Sequence, residues 1–198
     1  MKNNPDILAR ELESPMTYTE AEKSERIALG LPACEPSPAG LLRRIAPPQP
    51  GLIKKRIISA PDVLNEADDY GSAFPRGLRL DFPGGVTQLL ISGTASVGTD
   101  GETLYATDFR AQCWRTFRNI TRLLASEQAT WQDVARTTCY VRDIERDYAD
   151  FNLVRNEFYR ALGLEPYPAS TAIQARICRS DLLVEIEALA FLYRKPNA

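Results

Sequence analysis

In the second half of the chain, the spacing of apolar residues alternates between a helical and a strand period. Phe109, Cys113, Phe117, Ile120 and Leu124 recur at spacings of four, four, three and four. They predict one apolar helix face running from about Thr107 to Ser126. Tyr148, Phe151, Val154, Phe158 and Leu162 mark a second amphipathic helix, which Gly163 ends. Shorter apolar runs bounded by turn residues predict strands at Val86–Gly93, preceded by an alternating Leu78–Phe82, and at Val134–Val141, Ser170–Ile177 and Leu183–Leu192. Within Val134–Val141, Ala135, Thr137, Cys139 and Val141 share one face and Tyr140 faces the other way. The order β-β-α-β-α-β-β predicts an α+β layer with two helices packed on one face of a sheet.

The first quarter of the chain reads differently. Six of the 14 prolines fall between Pro32 and Pro50. Each removes a backbone donor and fixes φ, so the stretch reads as an extended arm. Ahead of it, Thr19 and Glu22 have the spacing of a helix capping box. The expected division is an N-terminal extension at 1–52 and a folded domain at 53–198.

Composition narrows the chemistry. The 198 residues carry a net charge of -2 and include no histidine. The charge gives none of the basic excess of a nucleic-acid binder. Without histidine there is no Ser-His-Asp or Cys-His system and no His-ligated zinc, which removes most catalytic metal geometries. Acid–base work falls to carboxylates, Tyr, Lys, Cys or water. The four cysteines are scattered without a C-x-x-C pair, as for buried free thiols. No apolar run approaches the roughly 20 residues of a membrane span, and the N-terminus lacks a secretory h-region; a cytoplasmic protein is expected.

The run VEIEALAFL carries the strongest chemical signal. Val184, Ile186, Ala188, Ala190 and Leu192 point one way; Glu185, Glu187, Leu189 and Phe191 point the other. The two glutamates sit roughly 6.5–7 Å apart at Cα. One of them could activate water or protonate a substrate carbon, or the pair could belong to a salt-bridged edge strand facing solvent or a neighbouring subunit. Ser92, Gly93 and Thr94 end a buried strand with small residues, where backbone can approach a ligand and hydroxyls can donate. Arg176 and Arg179 are candidate carboxylate clamps, and Tyr140 a candidate cleft residue.

The blocks LLISGTASVGTDG, DFRAQCWRTFRNITRLL, DVARTTCYVRDIERDYADFN and YPASTAIQARICRSDLLVEIEALA resemble, in order, the RidA/YjgF superfamily. The resemblance spans Leu89 to Leu192. It implies a chorismate-mutase-like α+β fold assembled as a homotrimer with clefts between subunits. Its members hydrolyse reactive enamines and imines without a cofactor. The first Glu of E-I-E-A, which is thought to position the water, matches Glu185, and the S-G of the early strand matches Ser92 and Gly93. Typical deaminases of the superfamily carry P-A-R-[ST], whose Arg holds the substrate carboxylate. Here the stretch is Pro168-Ala169-Ser170-Thr171, and the nearest arginine beyond it is Arg176. The wording ISGTASVG and ICRSDLLVEIEA is also similar to the RidA-like C-terminal region of chorismatases, in which a Glu of the pair would protonate an enolpyruvyl carbon.

The resemblance therefore implies a cofactor-free hydrolase or deaminase acting on a small carboxylated enamine, imine or enol ether. Glu185 would be catalytic, and Ser92, Gly93, Thr94, Tyr140, Thr171 and Arg176 would bind substrate. The alternatives are a non-catalytic ligand-binding or regulatory trimer, and a chorismatase-like hydrolase. The expected partners are a small carboxylate and further copies of the chain, with neither nucleic acid nor membrane.

Overall fold

A computed structural model of the chain describes residues 18–30, 33, 53–62, 64–65 and 74–194. The chain divides into two units, Met1–Gly51 and Leu52–Ala198. In the first, helix α1 (Glu20–Ala28) opens on the expected capping box: the Glu22 amide donates to Thr19 Oγ1, and the Thr19 amide donates to the Glu22 carboxylate. Apart from Ala33, the proline-rich stretch expected to form an arm lies outside the described residues.

The second unit is built on strands β1 (Lys54–Ile57), β2 (Gly77–Asp81), β3 (Val86–Ala95), β4 (Val134–Val141), β5 (Ala169–Gln174) and β6 (Val184–Tyr193), with helices α2 (Phe109–Ser126) and α3 (Ile144–Ala161). They form one six-stranded sheet in the order β1-β2-β3-β6-β4-β5. All pairings are antiparallel except β4 with β5. Helix α3 joins those two strands, which is the crossover that a parallel pair requires.

The predicted apolar face of α2 is buried in full, from Phe109 to Leu124. It packs with Phe151 and Val154 of α3 against Leu89, Ile91, Cys139, Val141 and the inward row of β6. The α+β layer with two helices on one face is thus the observed architecture. Among the described residues, no helix is long and apolar enough to cross a membrane.

Four details differ from expectation. Strand β1 is an addition; its KKRI sequence shows no apolar alternation, as suits a charged edge strand. Helix α3 starts at Ile144 because Asp143 accepts from the Arg146 amide and caps it. Strand β5 stops at Gln174, so Ile177 enters the core from a loop. Arg142 holds that loop by donating to the carbonyls of Ile177, Arg179 and Leu182. Ala135 does not share the inward face of Thr137, Cys139 and Val141. The β4–β6 register slips between Val134 and Arg136, and this bulge leaves Ala135 exposed.

Candidate functional site

The helices cover only one face of the sheet. On β6, Val184, Ile186, Ala188, Ala190 and Leu192 are buried beneath them, while Glu185, Glu187 and Leu189 are half-buried on the open face. Strand β6 is central, paired to β3 on one side and β4 on the other, so the edge-strand reading of the two glutamates does not hold. Neither glutamate forms a salt bridge among the described residues.

Both neighbours of β6 are bulged. On β3 the register passes from Ile91↔Ala188 to Thr94↔Ile186, so one extra residue is accommodated at Ser92–Gly93. On β4 the extra residue is at Ala135, and Arg136 comes to lie opposite Leu189. Bulges re-aim side chains and are common beside active sites. Ser92 and Arg136, next to these bulges on the strands either side of β6, lie on the open face by the regular alternation of β3 and β4.

The bulge at Gly93 admits Glu185. A Cβ on Gly93 would lie 1.9 Å from Glu185 Oε1 and 2.9 Å from its Cδ, so the carboxyl group rests directly on glycine backbone. Burial, and secondarily the Glu187 carboxylate, push the Glu185 carboxyl above its ordinary value. Opposite Glu185 in register is Tyr140, whose hydroxyl is pushed up first by burial and then by Glu187 and Glu185. Thr138 stands opposite Glu187.

A cleft of about 350 Å³ opens on the same face. Its polar lining is Ser92, Arg136, Thr138 and Glu187, and its apolar walls include Phe74, Leu78 and Leu90. It is lined by Glu187, whereas Glu185 lies one pleat further along β6, over Gly93. Of the two carboxyl groups, Glu185 is the one that burial pushes above its ordinary value, and Glu187 forms part of the cleft wall.

The structure brings some of the expected residues together and separates others. Ser92 lines the cleft, and its hydroxyl donates to the Pro75 carbonyl at 2.8 Å. Gly93 and Tyr140 flank Glu185. Thr171 on β5 is exposed, and its Oγ1 accepts from Arg136 Nη2 at 3.0 Å. Thr94 is not a cleft residue: it is buried on the helix side and donates to the Ser92 carbonyl, because the bulge turns it inward. Arg176 lies in the loop beyond β5, exposed and without a hydrogen-bond or ion-pair partner among the described residues. Arg179 is engaged with the Gly101 carbonyl.

Sequence reasoning missed the residues that fix the site. Gln112, wholly buried, donates to the carbonyls of Tyr105 and Asp181 and accepts from the Leu183 amide, which sets the entry to β6. Asn119, also buried, donates to the carbonyls of Ala95 and Val97 and pins the end of β3 to α2. Their signal was a buried-polar row, Gln112, Thr116 and Asn119, beside the apolar face of α2. Arg136 was passed over, although alternation back from Val141 already puts it on the face of Tyr140.

Comparison with known proteins places this geometry among relatives. The family described as Endoribonuclease L-PSP matches residues 85–192. A RutC family protein of Pyrococcus abyssi is 27% identical over 103 residues, covering 52% of this chain and 77% of the relative. The YjgF gene product of Escherichia coli superposes with a TM-score of 0.56 at 21% identity, covering 68% of this chain and 97% of its own. The E. coli TdcF structure with bound serine superposes with a TM-score of 0.57 at 21% identity, covering 71% of this chain and 99% of its own.

Proposed function

The chain belongs to the Endoribonuclease L-PSP family, within the RidA/YjgF superfamily, and from that premise we propose that it is a cofactor-free hydrolase or deaminase of a small carboxylated enamine, imine or enol ether. The observation that carries this reading is Glu185, a carboxyl group held over Gly93 on a central strand, with its pKa raised by burial. A raised pKa suits a group that must both give and take a proton near neutral pH.

For an enamine such as 2-aminoacrylate, the protonated Glu185 gives its proton to the terminal carbon. This converts the C=C–N group into an iminium and leaves Glu185 ionised. The carboxylate then takes a proton from a water as the oxygen adds to the imine carbon. Glu185 then gives that proton to the carbinolamine nitrogen, which leaves as ammonia, and takes the hydroxyl proton as the carbonyl forms, so the product is pyruvate and Glu185 is again protonated. Each half-step uses the same carboxyl group, and the bond changes need no redox partner. A 350 Å³ cleft with one cationic side chain in its lining favours a small molecule over a polynucleotide.

The assembly belongs to the same proposal. The open face carries Ile57, Leu90, Ile173 and Phe191, all exposed, and a homotrimer would cover apolar surface of this kind. Light scattering checks it by giving a particle of three 22.1 kDa chains. A second reading, ligand binding without turnover, is favoured by Ser170 standing where the deaminases have arginine.

The test is release of ammonia or pyruvate from enzymatically generated 2-aminoacrylate and from chorismate, with the wild type and Glu185→Gln side by side. Turnover of either substrate that disappears in the variant supports the hydrolase, and chorismate alone would select the chorismatase-like branch. No turnover of either above the blank selects the binding reading.

A further inference from the structure

A small carboxylate needs a cation, and neither of the positions suggested by sequence supplies one. Position 170 is serine, and Arg176 is exposed and lies outside the cleft lining. We propose that Arg136 is the anion clamp of the open-face cleft and holds the carboxylate of a small 2-imino or 2-amino acid while Glu187 faces its nitrogen.

This rests on reading the cleft as the ligand site, and four observations carry it. Arg136 is the one cation among the cleft-lining residues. It has no ion-pair partner among the described residues, so its charge is uncompensated. It stands opposite Leu189 in register, on the face that carries Glu187. Its Nη2 donates to Thr171 Oγ1 at 3.0 Å, which orients the guanidinium and leaves most of its five donors for a ligand. A planar fork of this kind suits a carboxylate held by two parallel hydrogen bonds.

The arrangement of charge also selects the ligand. Arg136 and Glu187 line the same small cleft without pairing with each other, so the site offers one positive and one negative group to a single molecule. A ligand with a carboxylate at one end and a protonated or N–H-bearing nitrogen at the other satisfies both. A dicarboxylate would set its second anion against Glu187.

A competing cation lies nearby. Arg155 of α3 donates to Ser170 Oγ at 3.2 Å and to Asn152 Oδ1 at 2.6 Å, with its guanidinium over the Phe151 ring. Ser170 shares hydrogen bonds with Thr137, on the helix-covered side, and Arg155 does not line the cleft. The two arginines thus grip consecutive residues of β5 from opposite faces, and only Arg136 is on the face of the carboxylates.

The experiment is calorimetric titration of the full-length protein with pyruvate, a stable carbonyl analogue of the imine, in the wild type, R136A, R136K and R155A. Thermal unfolding of each variant confirms an intact fold. R136A should weaken pyruvate binding about tenfold or more, as expected for the loss of a charge-assisted pair. R136K should recover only part of it, because lysine keeps the charge and loses the fork. R155A should bind as the wild type does. Wild-type affinity in R136A, loss confined to R155A, or no pyruvate binding by the wild type would each overturn the proposal. If pyruvate binds through Arg136 and no enamine is turned over, the clamp stands and the hydrolase reading fails.

Discussion

Gly93→Ala separates a site built on close approach from one that merely contains a small residue. The added Cβ would lie 1.9 Å from Glu185 Oε1, and ordinary contact begins at 3.4 Å, so the carboxylate oxygen must move by about 1.5 Å. What gives way is the end of a flexible side chain, and Gly93 has a φ outside the left-handed region, so alanine brings no backbone strain. Reducing the freedom of the unfolded chain stabilises a tolerated Gly→Ala change by about 0.4–1 kcal/mol. Displacing a catalytic group by about 1 Å costs on the order of a hundredfold in rate. Stability and activity should therefore part company: Tm unchanged or slightly raised, and kcat for 2-aminoacrylate down about a hundredfold. The assay couples a dehydratase that generates the enamine to detection of ammonia, with kcat and KM measured separately. A kcat within about twofold of the wild type would show that the seat of Glu185 on Gly93 has no part in the chemistry. A clear fall in Tm would show that the side chain cannot move aside as argued.

Four further variants test this and other contacts of the fold. Glu185→Gln should abolish turnover and also alter the pH dependence of stability. A carboxyl group whose folded pKa is raised contributes stability that is full below the ordinary carboxylate value, about 4.3, and is lost as pH rises through the folded value. Glutamine keeps that contribution, so the variant should melt with the wild type near about pH 4 and above it at about pH 7; a lower Tm than the wild type at neutral pH would contradict the burial argument. Gly77→Ala should destabilise by about 1–3 kcal/mol in urea unfolding, because its Cβ meets the Leu90 carbonyl oxygen at 2.7 Å and Ile58 Cδ1 at 3.0 Å, and a ladder carbonyl cannot step aside. Glu127→Ala should cost on the order of 2–3 kcal/mol: it removes a buried partner of Arg79 and Arg56, but Arg79 keeps Asp81. Arg56→Ala, at the exposed end of that network, should cost less than about 1 kcal/mol in the same unfolding assay.

The fold was legible where one period ran long enough to be unambiguous. The five apolar positions of α2 and the alternating row of β6 are buried as their spacing required. Strand β1 was not legible, because an edge strand of three charged residues and one isoleucine carries no alternation to read. The ends of α3 and β5 were missed for other local reasons. The first is set by Asp143 as a cap and the second by Arg142, which draws the following loop into the core.

The site was legible only as far as alternation reaches. Alternation put Glu185 and Glu187 on one face, and the resemblance singled out Ser92 and Gly93, but both readings assume an unbroken strand. A bulge shifts the face of every residue beyond it by one place. The bulge at Ser92–Gly93 turned Thr94 inward, and the one at Ala135 left Ala135 exposed instead of sharing the face of Thr137, Cys139 and Val141. These are also the points where the chain departs from regular pairing to make room for chemistry. Without the first bulge the Glu185 carboxyl would have no glycine backbone to rest on, whereas Arg136 reaches the cleft by the regular alternation of β4. Both irregularities flank the same stretch of β6, whose other face is held rigid by the core. A strand locked on one side and relieved on both edges of the other can keep a partly buried carboxyl group and an unpaired arginine on one surface without letting them collapse into a salt bridge.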